Sequence, residues 1–235
     1  MKLVTTASKH RLTLILLQRR VASAFECVVL GSDRQWTSFQ PKLACMYDFS
    51  KKEIDAGRGD EPFVFVDAFD AIVVNLDPNY YRALYNGKPL FAAEMYNWPD
   101  TTLSYPEGNF LHRQPYLNSG CFIATARDIC ALLTKNQFRH YTNDQLYWAQ
   151  VYVKNPSGFE LDFDSRLCAC LIAYLKDPHA LRKDGSDFVF LNTFRNPGIL
   201  HFNGPARIKR RMWFWYGYLM LQAMRTGARR VAKIF

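Results

Sequence analysis

The run Phe63-Val64-Phe65-Val66 leads without a break into Asp67-Ala68-Phe69-Asp70. Four consecutive apolar residues of aromatic and β-branched type, preceded by the polar stretch 55–62, read as a strand buried on both faces. Such a strand needs packing layers above and below it, which points to an α/β architecture, where ligands gather at the carboxyl ends of strands. The chain has 235 residues, 49% of them hydrophobic and 22% charged. That is a globular composition, and a chain of this length buries roughly 70% of its unfolded surface without needing disulfides or a structural metal.

The flanking sequence fits the same architecture. Lys2–Thr6 reads as a strand, the segment to Ala24 as a helix with Leu12, Leu14–Leu17 and Val21 facing a core, and Cys27–Leu30 as a second doubly buried strand ended by Gly31-Ser32. Leu90–Ala93 and Cys121–Ala124 read as further strands, 128–136 and 144–153 as helices with acids in their first turns, and Ile199–Phe202 as the strand that closes the sheet. With no internal repeat or linker before Pro205, one domain is expected over 1–204, followed by a basic, aromatic-rich segment 205–235. The six cysteines show no Cys-x-x-Cys pair and read as buried thiols.

The net charge of +9 is unevenly placed. Residues 1–180 carry 19 basic and 19 acidic side chains, whereas 181–235 carry 11 basic side chains and only Asp184 and Asp187. The far end is therefore expected to meet an anionic partner, either a membrane surface or an acidic acceptor. Its aromatic core, Met212 to Leu221, would be apolar all round as a helix and must be buried in the domain, in a membrane interface or in a partner. The longest uncharged apolar stretch, near Met212–Met224, is shorter than a bilayer span. No signal-peptide core is visible near Lys2, so a cytoplasmic, peripherally membrane-associated location is the expectation. A nucleic-acid module would be basic over its main surface, and the balanced first 180 residues argue against one.

Two carboxylates at a strand end repel each other unless a cation lies between them. A divalent metal shared with a nucleotide diphosphate resolves that repulsion at Asp67 and Asp70; a solvated turn with one capping Asp accounts for the spacing equally well. His201, followed by Phe202-Asn203-Gly204, suits a ligand at a strand end, with a hydrogen-bonded structural histidine as the plain alternative. None of the five histidines is followed two residues later by an acid, which argues against the facial triad of an iron oxygenase.

The order of six blocks resembles the glycosyltransferase domain at the N-terminus of procollagen lysyl hydroxylases and related collagen glycosyltransferases. The blocks are Phe65–Asp70, Phe91–Glu94 with Trp98-Pro99, Tyr116–Ile123, Asn143–Leu146, Leu161-Asp162 with Ser165-Arg166, and His201–Pro205. The resemblance covers most of residues 3–207 and implies a GT-A, Rossmann-like fold, a mixed and mainly parallel sheet flanked by helices. It implies a hexosyltransferase using UDP-glucose or UDP-galactose, and an acceptor hydroxyl on collagen-like protein or on a glycan. A manganese ion, or another divalent metal, would be held by Asp67, Asp70 and His201 in a DxD-like site.

The same resemblance assigns the nucleotide edge to Thr5, Thr6, Val66, Ala68 and Phe69, with Trp36 stacking on uracil and Lys42 and Arg207 near the phosphates. Asn118, Ser119, Gly120, Asn203 and Gly204 would approach the donor sugar, Asp144 with Asn143 would act in catalysis, and Trp98 would carry the acceptor. The chain departs from the family in having Asn143 where an acidic run is common. A sugar-nucleotide binder without transfer activity is the alternative reading.

Overall fold

The computed structural model describes residues 1–231 apart from His10, Thr37, Phe39, Pro178, Gly185 and Ser186, with the backbone alone for Gln40, Leu175, Asp187 and 219–231. Thr37 and Phe39, between the expected nucleotide contacts Trp36 and Lys42, and the last four residues of the basic segment thus lie outside the described residues.

Six strands make the main sheet: β1 (Lys2–Thr6), β2 (Glu26–Leu30), β3 (Pro62–Val66), β5 (Leu90–Glu94), β6 (Tyr116–Thr125) and β7 (Glu160–Asp162), in the order β2-β1-β3-β6-β5-β7. Only β6 runs against its neighbours, so the carboxyl ends of β1, β2, β3 and β5 share one edge with the start of β6. A second sheet places β11 (Ile199–His201) between β4 (Ala71–Val73) and β8 (Cys168–Cys170), and β9 (Leu181–Asp184) pairs with β10 (Asp187–Phe190).

β3 is buried on both sides as its composition requires. Phe63 and Phe65 face α2 (Gln40–Asp55), α4 (Ala126–Lys135) and α5 (Asp144–Lys154), while Val64 and Val66 face the core of α1 (Leu12–Val21) and α3 (Pro78–Leu84). Phe65, Phe122 and Phe91 lie directly opposite one another across three strands, each adjacent pair stacked at 4.7 Å. Such cross-strand rings pin the register of β3 against β6, and with it the position of Asp67.

Several expectations are corrected. Cys27–Leu30 lies in the strand at the edge of the sheet and is only half-buried, because among the described residues no strand pairs beyond it. In α1, Leu14, Leu17 and Val21 are buried, but Leu12 and Ile15 are exposed, since helical spacing turns them away from the sheet. Asn118-Ser119-Gly120 does not precede the strand but lies within β6. Ile199–His201 does not close the main sheet; it is the middle strand of the small one. The helix α2 was not foreseen, as its charged residues blur the helical period.

The basic segment forms α6 (Ala206–Val231). Ile208, Met212 and Tyr216, four residues apart, bury one face in the core under the small sheet, beside Ile72, Leu200 and Phe202. Trp213 and Phe214 stay exposed, Phe214 at 69%, so docking on the domain accounts for one face of the aromatic run and not for all of it. Among the described residues no helix is long and apolar enough to cross a membrane.

Candidate functional site

The two sheets meet at the turn between β3 and β4. Asp67 leaves the main sheet with its N–H on the Gly120 carbonyl (2.8 Å), and three residues later the Asp70 carbonyl accepts the N–H of Phe202 (2.7 Å) in the small one. His201 sits opposite Ala71 in β4, so the imidazole arrives beside both acids. Its Nε2 lies 3.5 Å from Asp67 Oδ2 and 3.5 Å from Asp70 Oδ1. One ligand atom from each of the three residues falls within 4.8 Å of the others.

A bulge in β6 makes room for this group. Phe91 pairs with Phe122 but the next residue, Ala92, pairs with Asn118, so Ser119, Gly120 and Cys121 leave the β5 ladder. Bulges re-aim side chains in this way. A Cβ on Gly120 would come within 2.1 Å of His201 Cε1 and 2.8 Å of Asp67 Oδ2, so only glycine fits there.

Three carboxylates surround the centre with lysines placed on two sides. Lys42, from α2, lies 2.9 Å from Asp67 Oδ1 and 2.7 Å from Asp144 Oδ2 with its side chain only 7% exposed. Burial disfavours its charge, yet Asp144 and Asp67 outweigh that and raise its pKa. Asp144 also accepts the Ser119 hydroxyl at 2.8 Å. On the other side Lys209 of α6 reaches Asp70 Oδ2 at 2.6 Å while 47% exposed. Burial works against the charge of Asp70, but His201 and Lys209 hold its pKa well below the carboxylate range. Burial likewise opposes a charged His201, and its bonds to Asp70 and Cys170 reverse this, raising it well above its ordinary value. Asp67 is pushed upward by burial, with Lys42 and His201 pulling the other way.

Beneath this centre Glu94 is buried at the end of β5 and pushed up to about 8, chiefly by burial. Its two oxygens accept the amides of Asn118 (3.0 Å) and Asn203 (2.7 Å).

Of the residues expected at the site, Asp67, Asp70, His201, Lys42, Asp144, Ser119 and Gly120 come together, with Val66 and Ala68 buried beside them. Asn118 and Asn203 are turned inward onto Glu94 rather than toward open space. Asn143 caps α5, its Oδ1 accepting Leu146 N–H at 3.0 Å. Thr5 and Thr6 end β1 beside Leu30, and Thr5 Oγ1 is buried with no partner among the described residues. Trp36 donates its indole N–H to Gly31 at 2.8 Å and lies half-buried against it. Phe69 lies under the Arg11 guanidinium, and Gly204, Arg207 and Trp98 are exposed. Sequence reasoning missed Glu94 and Lys209 as parts of the centre. The first had a signal, a lone acid closing an apolar strand, and the second was hidden in a run of basic residues.

The cluster of donors is one imidazole and two carboxylates, a set that suits a divalent first-row cation, and the Gly120 cradle keeps their approach open.

The fold is shared with known glycosyltransferases. A glycosyltransferase involved in glycosylating the major capsid of PBCV-1 superposes with a TM-score of 0.51 at 12% identity, over 90% of this chain and 98% of that one. The galactosyltransferase LgtC, solved with donor and acceptor sugar analogues, gives 0.50 at 15% identity over 88% of each chain. In sequence, the multifunctional procollagen lysine hydroxylase and glycosyltransferase of Caenorhabditis elegans is 27% identical over 213 residues, 82% of this chain and 28% of the relative. The human LH3 enzyme of the same description is 29% identical over 68% of this chain and 23% of its own length. The chain thus spans about a quarter of the length of these curated relatives. The model of the PLOD GT domain matches residues 1–216. The chain belongs to the PLOD GT domain family and is a glycosyltransferase domain of the GT-A type.

Proposed function

We propose that the chain transfers a hexose, glucose or galactose, from a UDP-sugar to an acceptor hydroxyl on a collagen-like protein or a glycan. The observation that carries the reading is the meeting of Asp67, Asp70 and His201 around the Gly120 cradle, at the strand ends where α/β folds bind nucleotides. A divalent cation, manganese in this proposal, would be held by these three side chains and would offset the negative charge that grows on the leaving diphosphate.

The remaining roles fall to the chain itself. Thr5, Thr6 and the half-buried Trp36 ring would receive uridine at the edge shared by β1 and β2, with Val66, Ala68 and Phe69 lining the turn. Lys42 and Arg207 would face the phosphates. Asp144, fixed by Lys42 and Ser119, would orient the sugar or the acceptor hydroxyl, with Asn143 setting the start of its helix. Asn118, Ser119 and Gly120, with Asn203 and Gly204, would form the wall against the sugar, and the exposed Trp98 would meet the acceptor.

Calorimetry with UDP, UDP-glucose and UDP-galactose, each with and without manganese, tests this. Metal-dependent binding that prefers one sugar is expected, with loss in Asp67→Ala; equal binding in that variant would overturn the cation assignment.

A second reading concerns α6. Exposed Trp213 and Phe214 lie on a helix without an acidic residue, and we propose that this face meets an anionic membrane surface as a peripheral attachment. Flotation with vesicles containing phosphatidylserine is expected to carry the protein upward, and recovery in the bottom fraction would refute it.

A further inference from the structure

We infer that Glu94 is a positioning residue, fixing which end of the Asn118 amide faces His201 and hence which ring nitrogen is presented to Asp67 and Asp70. This rests on the cation-binding reading of those three residues, and it is carried by a chain of hydrogen bonds whose polarity leaves one arrangement.

Once ionised, Glu94 only accepts, so Asn118 must turn its Nδ2 toward Glu94 Oε1 (3.0 Å). The Asn118 oxygen is thereby sent the other way, where it accepts the backbone N–H of Gly120 at 2.9 Å and lies 3.1 Å from His201 Nδ1. An oxygen facing Nδ1 requires a proton there. In a neutral ring that leaves the lone pair on Nε2, the nitrogen 3.5 Å from both acids. Turned over, the Asn118 amide would set a donor against Nδ1 and aim an N–H at the cation position. Glu94 is itself braced, because its second oxygen accepts Asn203 Nδ2 at 2.7 Å while Asn203 Oδ1 is occupied by Ile172 N–H at 3.1 Å.

A second substitution can restore the bond polarity. In Glu94→Gln one end of the side chain becomes a donor, so either Asn118 must turn and release the Gly120 N–H or Asn203 must turn and release the Ile172 N–H. Adding Asn203→Asp replaces that amide with a group that only accepts, able to take both the new side-chain N–H at position 94 and the Ile172 N–H. The amide oxygen at position 94 then faces Asn118 again, which restores the original arrangement.

Mn²⁺ binding is measured by the electron paramagnetic resonance of the free ion, in buffer alkaline enough to ionise Glu94, with near-ultraviolet circular dichroism to confirm packing. Glu94→Gln is expected to weaken binding roughly tenfold, and the double variant to bind within about threefold of wild type. A double variant as weak as Glu94→Gln overturns the inference. So does an Asn203→Asp single variant that tightens binding by as much as Glu94→Gln weakens it, because charge alone would then govern. If wild type binds no Mn²⁺, the cation reading fails while the positioning claim is still read by nitrogen-15 NMR of the metal-free protein. A hydrogen-bonded His201 Nδ1 proton present in wild type, lost in Glu94→Gln and regained in the double variant upholds it; its absence from wild type overturns it, as does a signal unchanged in Glu94→Gln while the Ile172 N–H resonance also stays in place.

Discussion

The two walls of the site hold their acids in different ways. On the main-sheet wall Lys42 is enclosed between Asp67 and Asp144, at 7% exposure, inside the aromatic core that α2 and α5 build over β3 and β6. On the small-sheet wall Lys209 reaches Asp70 from a surface helix and is 47% exposed. The contacts are of similar length, but their surroundings differ, and surroundings decide what an ion pair contributes. A buried pair broken on one side strands a charge, whereas an exposed pair exchanges its partner for water. One wall is therefore fixed by folding, and the other is free to adjust when a ligand arrives.

The strongest way to break that contrast is Lys42→Met, which leaves Asp67 and Asp144 facing each other without a cation. A loss of about 3 kcal/mol or more is expected in chemical denaturation, and a loss below about 1 kcal/mol would mean that the main-sheet wall is as adjustable as the other.

An effect of comparable size, spread over pH, is expected at the seam between the walls. Asp162 ends β7 and accepts the N–H groups of Arg166 (2.9 Å) and Cys168 (2.9 Å), tying the main sheet to β8. Burial pushes it up to about 7 from an ordinary 3.8. Between those values the folded chain holds a proton that the unfolded chain has lost, so stability falls as pH rises from about 4 to 7 and levels off above, by at most about 4 kcal/mol. Glu94, raised to about 8, has the same sign and extends the decline. Asp162→Asn should flatten the pH dependence of the denaturation midpoint, and an unchanged slope would remove Asp162 from the account.

Gly120→Ala probes the space where the walls meet. The added methyl displaces the His201 ring, and Mn²⁺ affinity should fall roughly tenfold or more, about 1.4 kcal/mol, in a protein whose circular dichroism is retained. The smallest effect belongs to Lys209→Met, expected to cost below about 1 kcal/mol in stability; a loss near that of Lys42→Met would erase the contrast.

What could be read from sequence follows the same division. β3 and its two acids were legible because a doubly buried strand announces itself as an apolar run. The small sheet was not: Ile199–Phe202 was read as a strand but of the wrong sheet, and its partners Ala71–Val73 and Cys168–Cys170, three residues each, are too short to show a period. His201 was placed with the acids only through the resemblance of whole motifs, as 131 positions separate it from Asp70 and spacing says nothing over that range. Lys42 was read as a phosphate contact, and its bridging of two carboxylates depends on α2, whose alternation of Lys, Asp and Glu with apolar residues hid the helix. Glu94 and the orientation of Asn118 depend on a bulge, which leaves no mark in composition.

The small sheet also bears on the order of events during synthesis. Its three strands begin at residues 71, 168 and 199, so β4 meets its partner β11 only after the 125 residues between Val73 and Ile199 have been made. Pairings this distant in sequence are closed late, because long loops must be ordered before any contact rewards them. A nascent chain that has not yet released His201 carries Asp67 and Asp70 as a bare acidic pair, so the three-residue centre is completed only after every strand of the main sheet has been made.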